Sequence, residues 1–243
     1  MKYKRNKTEL EEKGYSILSD LYSTTEISQI LDCIANSEKE GNSFLKTKDL
    51  FAIRQLITVI PALKEVLFNQ KLTLLLSDIF GTNYFLTKAI YFDKPSQSNW
   101  FVGYHQDLSI SVDQKTATEG YSNWTSKKGM FGVIPPIKIL EDTVTVRIHL
   151  DKTDINNGAL KVIPKSHQKG IYRVNTIDWD KETEDVCEVE SGGAMLMKPL
   201  TLHASNRTTN NKQRRVIHLE FCPHELKKPL GWLERQEINK TFV

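Results

Sequence analysis

From about residue 84 onward the chain is a succession of short β-type runs with no helical periodicity between them. This succession most restricts what the chain can fold into. The runs are 84–92, 104–112, 143–151, 159–163, 186–189, 194–197 and 214–221. Turn signals separate them, and Asn156-Asn157-Gly158 and Gly192-Gly193 are the clearest. Consecutive parallel strands need a long crossover, usually a helix, so strands at this spacing predict an antiparallel sandwich or barrel.

The first eighty residues have a different texture. Ser23-Thr24-Thr25-Glu26 has the form of a capping box, and Ile27, Ile30, Leu31 and Ile34 follow at helical spacing. Pro61 opens a second helical segment, and 72–80 forms a third, closed by Gly81. Tyr15-Ser16-Ile17-Leu18 alternates as a short strand would. The resulting expectation is one domain, 1–243, mainly β with flanking helices. Residues 1–82 form a helical buttress, 83–225 the β core and 226–243 a tail. An insertion at 109–140 carries Trp124, Gly129, Gly132 and Pro135-Pro136 and is expected to be an ordered lid.

Composition excludes several classes of function. The net charge is +3, with acids and bases mixed along the chain, which gives no electrostatic case for nucleic acid. No apolar run is long enough to cross a bilayer. The basic start, Met1 to Lys7, is followed by no apolar segment of a secretory signal, and residues 240–243 carry no peroxisomal or retention address. Cys33, Cys187 and Cys222 are few, odd in number and far apart, so they read as buried thiols in a reducing compartment. The expectation is a cytoplasmic protein with a small-molecule partner, and its oligomeric state is left open.

The chemistry concentrates in two distant segments. His105-Gln106-Asp107 lies in a β-type run, where alternate side chains share a face, so one short segment can offer a nitrogen and an oxygen ligand to one ion. A third ligand must come from elsewhere, and His149, His167, His203, His218 and His224 are the remaining histidines. The apolar segment 195–202 ends at His203, with Ser205 close behind. After a polar loop, Arg214 opens a strand in which Arg214, Val216 and His218 share one face. An arginine that points inward from an apolar strand needs an anionic partner, and its planar fork suits a carboxylate.

These residues resemble the phytanoyl-CoA dioxygenase family of Fe(II)/2-oxoglutarate-dependent oxygenases. The resemblance rests on His105-Gln106-Asp107, on His203-Ala204-Ser205, and on Arg214 eleven residues after His203. The run Thr143 to Asp151, the Asn157-Gly158 turn and Val162-Ile163-Pro164-Lys165-Ser166-His167 add to it. It extends from about residue 84 to 221. It implies a double-stranded β-helix, or jelly-roll, core of cupin type. It also implies that His105, Asp107 and His203 ligate Fe(II), and that Arg214, assisted by Ser205, holds the far carboxylate of 2-oxoglutarate. Gln106 is expected near the cosubstrate or substrate, and Lys88 is a second candidate anchor for an anion.

Three protein ligands leave three positions of an octahedral ion open, enough for the two donor oxygens of 2-oxoglutarate and for O2. Four protein ligands would instead suggest structural zinc. The implied reaction couples decarboxylation of 2-oxoglutarate to succinate with hydroxylation of an unactivated C–H bond. Related halogenases replace the carboxylate ligand by a small residue, so Asp107 favours hydroxylation. The alternatives are a non-catalytic barrel and a cupin-type metal-binding barrel acting as an isomerase or hydrolase. The lid is expected to carry specificity, through Trp124 flanked by Tyr121, Lys127, Lys128 and Phe131. Arg147 and His149, which alternate with Val146 and Ile148, are candidate substrate residues. The family embraces acyl-CoA, amino-acid and natural-product substrates, and the sequence does not choose among them.

Overall fold

The computed structural model describes residues 2–37, 41–47, 51–81, 83–96, 101–127 and 129–238. Lys128 and the last four residues, which entered the sequence reading, lie outside them. Among the described residues fourteen strands form three antiparallel sheets. They are β1 Tyr15–Leu18, β2 Phe44–Lys46, β3 Phe51–Arg54, β4 Phe85–Lys94, β5 Val102–His105, β6 Ile110–Val112 and β7 Ser122–Lys127, followed by β8 Met130–Ile134, β9 Val144–His149, β10 Leu160–Val162, β11 Asp185–Cys187, β12 Ala194–Met197, β13 His203–Ser205 and β14 Arg214–Cys222. The major sheet runs β1-β12-β9-β14-β4-β3-β2, the minor sheet β11-β10-β13-β5, and the lid sheet β6-β8-β7.

The chain moves between the major and minor sheets as it proceeds. β4, β9, β12 and β14 lie in the major sheet, and β5, β10, β11 and β13 in the minor one. Strands distant in sequence become neighbours: β14 pairs with both β4 and β9, and β13 with both β10 and β5. This interleaving is the double-stranded β-helix expected from the sequence. It also brings the two motif-bearing segments together, because His203 in β13 pairs directly with His105 in β5.

Period-2 alternation sorts the major sheet into an outer and an inner face. On β9, Val144, Val146 and Ile148 join Ile217, Leu219 and Phe221 of β14 and Leu86, Ala89 and Tyr91 of β4 in the main hydrophobic cluster. The helices Thr24–Ala35 and Gln70–Phe80 cover that face with Ile27, Ile30, Ile34, Leu72, Leu75 and Ile79. Thr145, Arg147 and His149 alternate with the apolar set and are buried on the other face. The sheet is thus glued to its helices on one side and presents polar groups to the barrel interior on the other.

The helix starts follow local chemistry. Ser23 Oγ accepts from the Glu26 N–H at 3.3 Å, and the Glu26 carboxylate accepts from the Ser23 N–H at 2.7 Å. Asn69 caps Gln70–Phe80 by accepting from the Leu72 N–H at 2.8 Å. Past Pro61 the helix is a short one, Leu63–Leu67.

Two expectations need correction. Residues 104–112 are not one strand: β5 ends at His105 in the minor sheet, and β6 begins at Ile110 in the lid sheet. Between them the Leu108 N–H bonds to the Gln106 carbonyl at 3.0 Å, a tight turn around Asp107, while the Asp107 N–H is taken by the Pro199 carbonyl at 2.9 Å. Cys33 is half-buried, whereas Cys187 and Cys222 are buried as expected. No helix among the described residues is long and apolar enough to cross a membrane.

Candidate metal centre and its cavity

His105, Asp107 and His203 each offer one ligand atom, and these atoms lie within 4.8 Å of one another. His105 Nε2 is 3.8 Å from Asp107 Oδ1, and His203 Nε2 is 3.7 Å from Asp107 Oδ2. The β5–β13 pairing sets the two imidazoles 4.2 Å apart, centroid to centroid. The bend after His105, not strand alternation, swings the carboxylate to meet them. Gln106 holds that bend: its side-chain amide donates to the Gly170 and Leu200 carbonyls and its oxygen accepts from the Tyr172 N–H. Gln106 therefore faces away from the cavity that the triad opens on, and its polar atoms are engaged by backbone.

The protonation states suit a cation. His105 Nδ1 lies 2.9 Å from the Gly103 carbonyl, and His203 Nδ1 lies 2.9 Å from the Thr201 carbonyl. A carbonyl only accepts, so each bond requires Nδ1–H and leaves the Nε2 lone pair for the shared point. Burial pushes the His203 imidazole down to about 4, against the opposite pull of Asp107, so the ring is neutral at pH 7. Burial resists ionisation of Asp107, but the His203, His218 and His105 imidazoles and Lys88 outweigh it and hold the carboxyl at about 2. Two imidazole nitrogens and one carboxylate oxygen form a donor set for a divalent transition metal.

The triad opens on a cavity of about 180 Å³. Phe92, Lys94, Arg147, Ser205, Arg214 and His218 are among its other walls. This is smaller than the ~300–1,000 Å³ of pockets for drug-sized ligands, so it suits one small molecule. Arg214, the first residue of β14, is buried; it donates to the Gly158 carbonyl and, at 3.3 Å, to Ser205 Oγ. Ser205 Oγ in turn donates to the Gly158 carbonyl at 3.1 Å. No carboxylate among the described residues pairs with Arg214, and burial, with the nearby Arg147, pushes its guanidinium down to about 9. Arg215 points the other way and forks onto Asp151 at 2.7 and 2.8 Å.

Lys94 escaped the sequence reading. It stands opposite Arg214 in the β4–β14 ladder, is almost fully buried, and donates to the Asn206 carbonyl at 2.6 Å. The signal was available: Lys94 continues the Lys88–Ile90–Phe92 alternation two residues past the end assigned to the strand. Two cations thus stand side by side in one wall of the cavity.

The remaining candidates are dispersed. Arg147 lines the cavity, with Nη1 donating to His218 Nδ1 at 3.1 Å and a buried Nε that has no partner. His218 Nε2 then donates to Glu220 at 2.9 Å, and Glu220 accepts from Lys88 at 2.8 Å. Lys88 therefore serves a buried ion pair, and its Nζ also donates to the Ser109 carbonyl. His149 is buried behind Arg147; its Nδ1 meets Thr153 Oγ1 at 2.8 Å and its Nε2 has no partner. Burial, then Arg147 and Arg214, hold His149 neutral. Trp124 lies in the lid sheet, packs on the cluster around Val112, Val133 and Trp232, and does not line the cavity.

The family model for phytanoyl-CoA dioxygenase (PhyH) matches residues 10–216, so the chain belongs to that family. Membership of that family indicates a non-haem iron, 2-oxoglutarate-dependent enzyme. Similar solved structures include the non-heme alpha ketoglutarate dependent epimerase SnoN from nogalamycin biosynthesis, at TM-score 0.68 and 11% identity, with 91% of this chain and 83% of that chain covered. The carbocyclase SnoK of the same pathway follows at 0.63 and 14%, covering 90% and 83%. HygX from Streptomyces hygroscopicus, with nickel and 2-oxoglutarate bound, gives 0.65 and 12%, covering 96% of each chain. No curated protein matches the sequence. At these identities the likeness is one of fold.

Proposed function

We propose that the chain is an Fe(II)- and 2-oxoglutarate-dependent dioxygenase that hydroxylates an unactivated C–H bond of a small molecule. The observation that carries this reading is Arg214, a buried guanidinium that has no carboxylate partner among the described residues and lines the same cavity as the triad. A buried cation of this kind is costly unless an anion joins it, and a dicarboxylate cosubstrate supplies one. Lys94 beside it strengthens the attraction.

His105 Nε2, an oxygen of Asp107 and His203 Nε2 would hold the metal. When bound, iron supplies the activation of O2 coupled to decarboxylation of 2-oxoglutarate to succinate and CO2. The chain's own residues do the rest. Arg214 and Lys94 fix the far carboxylate, Ser205 orients Arg214, and Gln106 locks the bend that carries Asp107. Val102, Leu160 and Val216 give the cavity apolar walls that limit water. The carboxylate of Asp107 fills the position that a halogenase leaves to chloride, which favours hydroxylation.

The test is anaerobic loading with Fe(II) and 2-oxoglutarate, exposure to O2, and measurement of succinate with and without a substrate panel. Succinate formation is expected, and a product heavier by one oxygen atom identifies hydroxylation. A product of unchanged mass, or one lighter by two hydrogens, would point to epimerisation or ring closure and sink the hydroxylase reading. Absence of succinate, with no effect of 2-oxoglutarate on the metal spectrum, would sink the cosubstrate reading. His203→Ala is expected to abolish metal uptake.

A further inference from the structure

A second cavity, of about 330 Å³, lies between the lid sheet and the β3–β4 side of the major sheet. It continues the inner surface that carries the metal centre. Along β4, Lys88 and Ile90 line this cavity, and the next two residues of the same alternation, Phe92 and Lys94, line the cavity of the triad. From the lid side Ser109, two residues after Asp107, also lines it. The lining of this cavity thus adjoins that of the triad's cavity along β4, and on the lid side it begins two residues after Asp107.

Its walls are of two kinds. Ile90, Met130, Phe131 and Leu233 are apolar. The polar lining is cationic and hydroxylic, from Arg54, Lys88, Lys127, Ser111 and Thr125. Among the described residues a single carboxyl lines it, that of Glu234, which is pushed up to about 8, chiefly by burial, and so adds little negative charge at pH 7. Lys88 is already matched by Glu220. Arg54 is not matched: its Nη1 is buried and has no hydrogen-bond partner among the described residues. Arg54 ends β3, and the next residue, Gln55, also in the lining, is held at φ +52°. A glutamine in the left-handed region is uncommon, and such strain gathers at binding sites. A guanidinium donor buried without an acceptor carries a desolvation cost that a bound oxyanion would offset.

We propose that this cavity is the substrate chamber, and that it takes a small molecule with an apolar body and an anionic oxygen group, a carboxylate or a phosphate, held by Arg54. The proposal rests on the reading of the triad as a metal centre that uses 2-oxoglutarate. The apolar walls take the body of the substrate, and the lid strands β6 and β8 close over it. Gly132 is part of the fit: a Cβ there would stand 2.6 Å from Thr125 Oγ1 and 2.8 Å from Ser109 Oγ, driving both hydroxyls out of place.

The experiment is calorimetric titration of the full chain, loaded with Ni(II) and 2-oxoglutarate, with octanoate, octyl phosphate and octylamine. At least one of the two anions is expected to bind, and the tighter of them identifies the anionic group; octylamine is expected not to bind. Arg54→Gln is expected to weaken the anion at least tenfold while Ni(II) and 2-oxoglutarate titrate as in the wild type, and Arg54→Lys to recover part of the loss. Should Arg54→Gln fail to fold, Lys127→Gln, an exposed residue of the same wall, is expected to weaken the anion several-fold. Failure of the wild type to take up Ni(II) and 2-oxoglutarate would overturn the functional reading. With both bound, the chamber proposal is overturned by octylamine binding as well as the anions, by no probe binding, or by anion affinity unchanged in the variants.

Discussion

Each residue of the site is held in one chemical state by a neighbour that can be named. The Gly103 and Thr201 carbonyls choose the tautomers of His105 and His203, and Arg147 chooses that of His218 by donating to its Nδ1. Arg214 donates to one carbonyl and one hydroxyl, which orient it without neutralising it. Arg214→Gln should therefore lower 2-oxoglutarate affinity by roughly ten- to a hundredfold, the scale of a lost charge-assisted contact. Ni(II) affinity should be nearly unchanged, and titration of each ligand separately checks the pair of outcomes. Equal 2-oxoglutarate affinity in the variant would remove Arg214 from the role given to it. The candidate triad and Arg214 were legible in the sequence through the family resemblance; residue types and spacing alone offered His105 and Asp107 and left five histidines open for the third ligand. Lys94 was legible only as a continuation of the alternation of β4; its burial was not, because a lysine at the end of a strand looks the same in sequence whether it turns out to water or in beneath a loop.

At the scale of elements, the site depends on how chain segments stop and turn. Asp154 caps the short helix Ile155–Asn157 by accepting from the Asn156 and Asn157 N–H groups, and the Asn157 side chain returns a bond to the Asp154 N–H. Gly158 follows at φ +86° and delivers its carbonyl to Ser205 and Arg214. A Cβ there would stand 2.8 Å from the Asn206 carbonyl and 3.0 Å from Lys94 Nζ. Gly158→Ala should cost about 1–3 kcal/mol of stability, through left-handed strain and the clash. It should also weaken 2-oxoglutarate binding, by thermal unfolding and titration respectively. Ser23→Ala is the contrasting case: loss of its cap should cost about 1 kcal/mol, a drop of ~2–4 °C in Tm, with cosubstrate binding untouched. The Asn157-Gly158 turn and the Ser23 cap could be read from sequence, because turn and cap chemistry is local. The break between β5 and β6 could not, because the Asp107 N–H is taken by the Pro199 carbonyl, far along the chain, which meets it only once the barrel closes.

Over the whole molecule, residues 223–238 tie the barrel to its lid. The Gln236 N–H and carbonyl pair with Leu86 of β4 at 3.0 and 2.9 Å, the Leu233 N–H bonds to the Ser111 carbonyl at 3.1 Å, and Trp232 bridges to Val112 of β6. Sequence gave no hint of this strap, since its pairings are single bridges too short to leave a periodic pattern. Glu234 lies within it, buried, with Oε2 accepting from the Ala89 N–H at 3.2 Å. Burial pushes its carboxyl up to about 8, with Glu220 adding to the rise and the Ala89 N–H and Lys88 opposing it. The folded chain therefore holds this proton more tightly than the unfolded chain, whose glutamate titrates near ~4.3. The stabilisation is fully present below that value and is lost as pH rises through about 8. Denaturant unfolding should thus show stability falling across the neutral range, with Glu234 contributing at most ~1.4 kcal/mol per unit of pH. Glu234→Gln, which keeps the shape and cannot ionise, should flatten that slope and leave the alkaline side the more stable relative to wild type. An unchanged slope would mean that Glu234 is already ionised at neutral pH. The second cavity would then carry a negative charge beside Arg54, and the anion it is proposed to take would be repelled.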